Sequence, residues 1–263
     1  GGVLYDEQDP TIIDNSDRLS LYSDTIESLS PKSRTTRKYC MCGRFTLRTP
    51  NRIIAQEFML GAEPQLLLRF NIAPTQDVTV VRLFEGERVL TQMRWGLVPF
   101  WADDPSIGSR MINARGETIA EKPSFRNAYK KRRCLVVADG FYEWTKGKNG
   151  KQPYFFHLPD HRPFAFAGLW ESWDKGGLGP MESCTIVTTH ANEQVRPLHH
   201  RMPVILEPSG YDGWLANDTP QADVADLLVP LPEGRLVIEP VSTRVNSPRN
   251  DDEACTVVVP SSE

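Results

Sequence analysis

The stretch Asp77–Trp95 reads DVTVVRLFEGERVLTQMRW. Its two runs, DVTVVRLF and RVLTQMRW, are rich in β-branched and apolar residues and are split by EGE, which predicts a β-hairpin. Upstream, TPNRIIAQEFML carries Thr49 as the expected N-cap and Pro50 as the first helical residue, with Ile53, Ile54, Phe58 and Met59 at helical spacing. Downstream, ETIAE and SFRNAYKK read as short helices separated by Pro123. RCLVVAD, FYEW, QPYFFHL, PFAFAGLW and SCTIVTT read as strands, ANEQVRPL and ADVADLL as helices, and RLVIEPV as a closing strand. Many short strands with few helices predict one α+β domain on a curved or barrel-like antiparallel sheet with short flanking helices.

That domain is expected to span residues 42–263. Residues 1–41 differ: up to Lys38 they are rich in Ser, Asp and Thr, and bury too little apolar surface to offset their ordering entropy. Three readings stand: a disordered leader, a pro-segment cleaved before Cys42, or upstream sequence with Met41 the true start. The last accounts best for the Met41-Cys42 junction.

Composition narrows the function classes. A net charge of −4 does not suggest a nucleic-acid partner, so any such partner needs a local basic patch. No apolar run approaches the roughly 20 residues of a membrane span, and the first residues lack the order of a secretory signal. Five cysteines without regular spacing fit a reducing cytosol better than a disulfide scaffold. These features predict a cytoplasmic chain.

Several residues have chemical potential. Cys42 as an internal residue is a small hydrophobe. As an N-terminal residue it is a 1,2-aminothiol, able to capture an aldehyde first as an imine and then as a thiazolidine ring. In INARGET, Asn113, Arg115 and Glu117 alternate with smaller residues, as on an extended segment with one polar side. In ADGFYEW, Glu143 lies between Tyr142 and Trp144. It either faces water or is a buried carboxyl that can hold a proton near neutrality. In HHRMP, His199 or His200 offers a second acid/base and Arg201 a phosphate contact. The pattern RNAYKKRRC concentrates Arg126, Lys130, Lys131, Arg132 and Arg133, and RWGLVPFWA offers Trp95, Phe100 and Trp101 as stacking surfaces or core. There is no CxxC, HExxH or GxSxG pattern and no Gly-rich phosphate loop, so neither metal nor cofactor is implied.

In order, MCGRF, NIAPTQ, RWGLVPFWA, INARGET, ADGFYEW, TTHAN, HHRMP and VSTRVN resemble the successive motifs of the SRAP family, the SOS response-associated peptidases or abasic-site processing proteins. The resemblance runs from about Cys42 to the C-terminus. It implies covalent capture of abasic sites in single-stranded DNA by a monomer, with DNA and no cofactor as partner, and with possible lyase and self-processing peptidase activity. Bound to DNA, such a protein is nucleoid-associated. Cys42 would be the nucleophile, Asn113 would hold the amine or sugar, Glu143 would shuttle protons, and His199 would act near the sugar oxygen. Arg115 and Arg201 would contact phosphate, with Thr189 a lesser phosphate candidate. Arg44, Asn71 and Pro74 would line the DNA path, and Trp95 or Trp101 would support bases. Two other classes remain open: an N-terminal-nucleophile amidohydrolase, and a module that binds single strands without a covalent step.

Overall fold

The computed structural model describes residues 43–147, 150–177 and 179–260. Residues 1–42, and with them Cys42 and the leader, lie outside the described residues. The described strands are β1 (Phe45–Leu47), β2 (Arg69–Ile72), β3 (Asp77–Phe84), β4 (Glu87–Trp95), β5 (Asn113–Arg115), β6 (Arg133–Ala138), β7 (Gly140–Gly147), β8 (Gly150–His157), β9 (Phe164–Trp173), β10 (Met181–His190), β11 (Arg201–Pro203), β12 (Ile205–Leu206) and β13 (Val237–Pro240). The helices are α1 (Asn51–Glu57), α2 (Arg126–Lys131), α3 (Tyr211–Leu215) and α4 (Gln221–Asp226).

The hairpin forms as the sequence predicts. β3 and β4 pair in register from Asp77↔Arg94 to Phe84↔Glu87. Glu85 and Gly86 between them have φ of 53° and 84°, the left-handed pair that a two-residue turn matched to strand twist requires. This hairpin is one wall of a ring: β10 pairs β4, β4 pairs β3, β3 pairs β6, β6 pairs β9, and β9 returns to β10. Gly168 lets β6 and β9 pack closely side by side, since a Cβ there would sit 2.8 Å from Val136 Cγ2 and 2.9 Å from Cys134 Sγ. A second sheet runs β13-β8-β7-β1-β2. The fold is α+β with barrel-like curvature. It departs from an all-antiparallel sheet because β4 and β5 both run parallel to β10.

The main core lies among these strands, with Phe45, Trp95, Phe141, Phe156 and Phe166 buried together. A satellite cluster of Tyr142, Phe155, Val241, Val245 and Cys255 is joined by half-buried Phe70 and Trp144. Because side chains alternate along a strand, β7 serves both clusters: Phe141 enters the first and Tyr142 the second.

Three local expectations change. Helix α1 begins at Asn51 with Pro50 as its cap, because Thr49 Oγ1 donates instead to Asp139 Oδ2 at 2.9 Å. ETIAE contributes only to the single 3₁₀ turn Gly116–Thr118. ANEQVRPL forms turns rather than a helix. There Asn192 Oδ1 accepts from Val195 N at 3.0 Å while its Nδ2 donates to Leu231 O, and Pro197 has no N–H for a helical bond.

Candidate functional site

The pairing of β1 with β7 fixes the first part of the site. Phe45 faces Phe141, Thr46 faces Gly140, and Tyr142 N donates to Arg44 O at 3.0 Å. The same antiparallel register carried back toward the start of the described chain sets Gly43 opposite Glu143. Glu143 is 4 % exposed, and strand alternation directs it to the side of β7 that Phe141 occupies. Its neighbours are fixed on the other side: Tyr142 Oη donates to Phe70 O at 2.7 Å, and Trp144 Nε1 donates to Asn246 Oδ1 at 2.6 Å.

Two carboxylates, the buried Asp139 and the half-buried Asp251, hold the strands around this point. Asp139 accepts from Thr46 Oγ1 at 2.5 Å, from Thr49 Oγ1 and from Arg48 N, which locks β1. Asp251 accepts from Phe70 N, Asn71 N at 2.8 Å and Arg69 Nε, which locks β2. Asn71 is fully buried and donates to the carbonyls of Val245, Ser247 and Asn250, and its Oδ1 accepts from Arg44 Nη1 at 2.8 Å. Asn71 therefore cannot line a DNA path directly; it orients Arg44. Arg44 also donates to Val245 O and lies 5.8 Å from the Trp144 ring, and burial lowers its pKa. Pro74 is half-buried beside exposed Thr75.

The second part of the site gathers at one end of β10. Thr188 pairs Arg115 of β5 on one side and Pro203 of β11 on the other, and His190 pairs Arg201. Asn113 is half-buried and Arg115 exposed. Thr189 is 6 % exposed, so its hydroxyl presents little surface to a phosphate. Arg201 is 5 % exposed and its guanidinium is engaged: Nη1 and Nη2 both donate to Glu117, and Nη2 also donates to Thr188 O at 2.7 Å. An open phosphate contact through Arg201 is therefore not what this geometry offers. Glu117 also meets His190 Nε2 at 3.1 Å. Its carboxyl is held below the usual range: burial opposes the shift, but the Arg201 hydrogen bonds and charge outweigh it. His199 is half-buried. Its Nδ1 lies 3.1 Å from Arg201 N and 3.2 Å from Arg201 O, and its ring stacks on His200 at 4.4 Å. Burial lowers the His199 pKa, so the ring is neutral near pH 7 and able to accept a proton.

The tryptophans divide. Trp95 is fully buried and cannot support a base. Its Nε1 donates to Ile112 O at 2.9 Å, which instead steadies the residue before Asn113. Trp101 and Phe100 are 43 % and 48 % exposed and keep stacking surface. The basic run divides as well. Arg133 is buried and caps two helix ends, donating to Tyr129 O and Lys130 O of α2 and to Trp214 O and Ala216 O at the end of α3. Arg132 pairs Glu171 at 3.0 Å. Arg126, Lys130 and Lys131 remain exposed. Asp139, Asp251 and Asn246 are supporting residues that sequence reasoning missed. Their acceptors serve partners far away in the chain, so no local spacing announces them.

Comparison with known proteins finds relatives over most of the chain. The chain is 39% identical over 216 residues to the abasic site processing protein YoqW of Bacillus subtilis (strain 168), covering 80% of this chain and 96% of that one. It is 37% identical over 222 residues to the abasic site processing protein HMCES of Gallus gallus, covering 74% of this chain and 63% of that one. A solved structure of a protein from Bacteroides thetaiotaomicron superposes with a TM-score of 0.72 at 25% identity, covering 83% of this chain and all of that one. The family model for SOS response associated peptidase (SRAP) matches residues 41–248, and the chain belongs to that family.

Proposed function

We propose that this protein processes abasic sites in DNA, and that it does so by covalent capture in single strands through Cys42 as an N-terminal residue. The observation that supports the reading is the pairing of β1 with β7, Phe45 with Phe141 and Thr46 with Gly140, which runs the start of the described chain antiparallel along the strand that carries the buried Glu143.

The chemistry follows from the groups. The α-amine of Cys42 adds to the C1′ aldehyde of the ring-opened sugar, and the carbinolamine loses water to give an imine. The Cys42 sulfur then adds to the imine carbon, and the nitrogen takes up a proton. The product is a thiazolidine, and one water is released overall. Glu143 moves protons among these steps. His199, neutral and half-buried, accepts or returns the proton at the sugar oxygen. Asn113 holds the amine or sugar, Arg115 meets a phosphate, Arg44 and Pro74 border the strand, and Trp101 stacks on a base. The imine is also the intermediate from which β-elimination cleaves a strand, so ring closure withdraws it from lyase chemistry. The mechanism requires a free α-amine. A chain extended before Cys42 carries an amide there and must be processed first, by methionine removal or by self-cleavage.

The test uses protein beginning at Cys42 with single-stranded DNA containing an abasic site. The expected result is an adduct that survives denaturing electrophoresis, lost in Cys42→Ala and unstable in Cys42→Ser. An equally stable adduct from Cys42→Ser overturns the thiazolidine. Undiminished non-covalent binding with no adduct assigns the protein to simple single-strand binding, and turnover of an amide substrate assigns it to amidohydrolysis.

A further inference from the structure

We infer that Glu117 and Arg201 form a positioning device for His199: the carboxylate fixes the Arg201 side chain, and the Arg201 main chain fixes the imidazole. The inference rests on the role given to His199 above. Arg201 is 5 % exposed, and a guanidinium so buried needs a counter-charge. Glu117 supplies it with both oxygens, one on each Nη, the two-pronged geometry that fixes direction as well as charge. Thr188 adds its carbonyl at 2.7 Å and its hydroxyl at 3.1 Å, both on Nη2, which ties the assembly to β10.

With its side chain immobilised, Arg201 presents its own N–H and C=O to His199 Nδ1 at 3.1 and 3.2 Å. When Nδ1–H donates to the Arg201 C=O, the neutral ring keeps a lone pair at Nε2, the atom left to accept a proton outward. When the Arg201 N–H donates to Nδ1 instead, the proton sits on Nε2, so the Arg201 main chain sets which tautomer faces the substrate. The groups around the ring are His200, stacked at 4.4 Å, and Arg201. Glu117 and His190 lie behind Arg201. Glu117 thus connects INARGET, TTHAN and HHRMP, the first and last of which carry Asn113 and His199, residues assigned to the chemistry. Neither Glu117 nor Arg201 needs to touch the substrate for this role.

Nitrogen-15 NMR of the imidazoles in the full chain without DNA tests the device independently of abasic chemistry. Wild type should show one dominant His199 tautomer. Glu117→Gln should mix the tautomers and move the His199 midpoint to lower pH, because the charge that offsets Arg201 is gone. Arg201→Lys keeps the charge but loses the fork, and should mix the tautomers as well. Glu117→Asp, which keeps the charge on a shorter arm, should give an intermediate mixture and serves if the Gln variant fails to fold. In protein beginning at Cys42, Glu117→Gln should slow adduct formation by about 10²-fold, the scale of an ångström-sized misplacement, with binding to intact single strands little changed. A wild-type tautomer and midpoint in Glu117→Gln or Glu117→Asp overturns the device. So does a rate loss matched by an equal loss of DNA affinity, which would make these residues DNA contacts. Altered imidazole behaviour in a protein that forms no adduct leaves the device standing and removes the abasic-capture reading instead.

Discussion

The two parts of the site are built on different principles. On the five-stranded sheet, Gly43, Arg44 and Glu143 are placed by strand register and by hydrogen bonds to Asp139 and Asp251. At the end of β10, His199 and Arg115 are placed beside the Glu117–Arg201 ion pair and the His190–Glu117 contact, whose histidine side chain is 75% exposed. In the first arrangement Asp139 is buried, so its contacts are shielded from salt, while the Arg69–Asp251 pair is partly open. The second is partly open, so its outer contact is screened and weakens with ionic strength. Under the proposed mechanism the first part would supply the carboxyl that moves protons, and the second would meet the sugar and the phosphates. Perturbing Glu143 or the Glu117–Arg201 pair should therefore cost chemistry, and perturbing exposed Arg115 should cost engagement.

The largest effect is expected at Glu143. Glu143→Gln keeps the shape and removes the titrating group. Adduct formation should slow by about 10²–10⁴-fold, the usual worth of a positioned proton-transfer group, while binding to intact single strands stays near wild type. A crosslinking time course with parallel binding measurements checks this. A wild-type rate, or equal losses of rate and affinity, would place Glu143 outside the chemistry.

Next comes the lock on β1. Asp139 is 1 % exposed and accepts from Thr46 Oγ1, Thr49 Oγ1 and Arg48 N. Asp139→Ala strands these donors, each at a cost of about 1–3 kcal/mol. A total near the low end, about 3 kcal/mol, lowers Tm by roughly 6–12 °C in a domain of this size. Thermal melting reads the loss, and crosslinking should fall with it because β1 no longer holds its register. A melt unchanged from wild type would show that the strand is held by its packing alone.

The tryptophans give a third, smaller contrast. Trp101→Ala should weaken single-strand binding by about 1–3 kcal/mol, the range for a base stacked on an aromatic ring, with Tm nearly unchanged. Trp95→Phe should do the reverse, because it removes a buried bond to Ile112 O and no exposed surface. Equal effects of both on binding would break the distinction between wall and stacking surface.

Much of this was legible in the sequence, and the limits are physical. The hairpin was readable because EGE between two β-rich runs is a local signal, and local signals need no partner. The strands of β6 to β10 were readable from their apolar and β-branched content. Their barrel-like curvature was expected too, but the parallel pairings of β10 with β4 and β5 were not, because they join segments far apart in sequence. The same divide runs through the site. Residue types announced Glu143, His199 and Arg115 as candidates, and the register supplied the neighbours. Arg201, Asn71 and Trp95 carry the right chemistry for DNA contact in sequence, but burial commits each to a structural partner. Burial depends on the whole fold, so motif reading overstated their exposure. ANEQVRPL failed as a helix for a local reason that was visible: Pro197 lies within it and has no N–H to continue the turn that Asn192 caps.

The smallest effect concerns the exposed cations of α2. Arg133 and Arg132 are engaged by helix ends and by Glu171, so any electrostatic guidance of DNA from this segment falls to Arg126, Lys130 and Lys131. Lys130 and Lys131 sit in the last turn of α2, where positive charge also favours the helix, by about 0.3–1 kcal/mol. Replacing both with Ala should leave Tm within about a degree or two, since exposed substitutions stay within roughly 0.5 kcal/mol. The expected change is in salt dependence. Each phosphate neutralised on a single strand contributes about −0.7 to the slope of log K against log salt. If both lysines lie along the strand, the slope becomes shallower by about 1.4, and initial capture slows most at low salt. The final yield of adduct at long times should not change, because neither residue takes part in the chemistry. Arg115→Ala should reduce the slope by about one such contact whatever the state of α2. A slope unchanged by the double substitution but reduced by Arg115→Ala would confine the DNA path to the end of β10 and leave α2 as a solvated face.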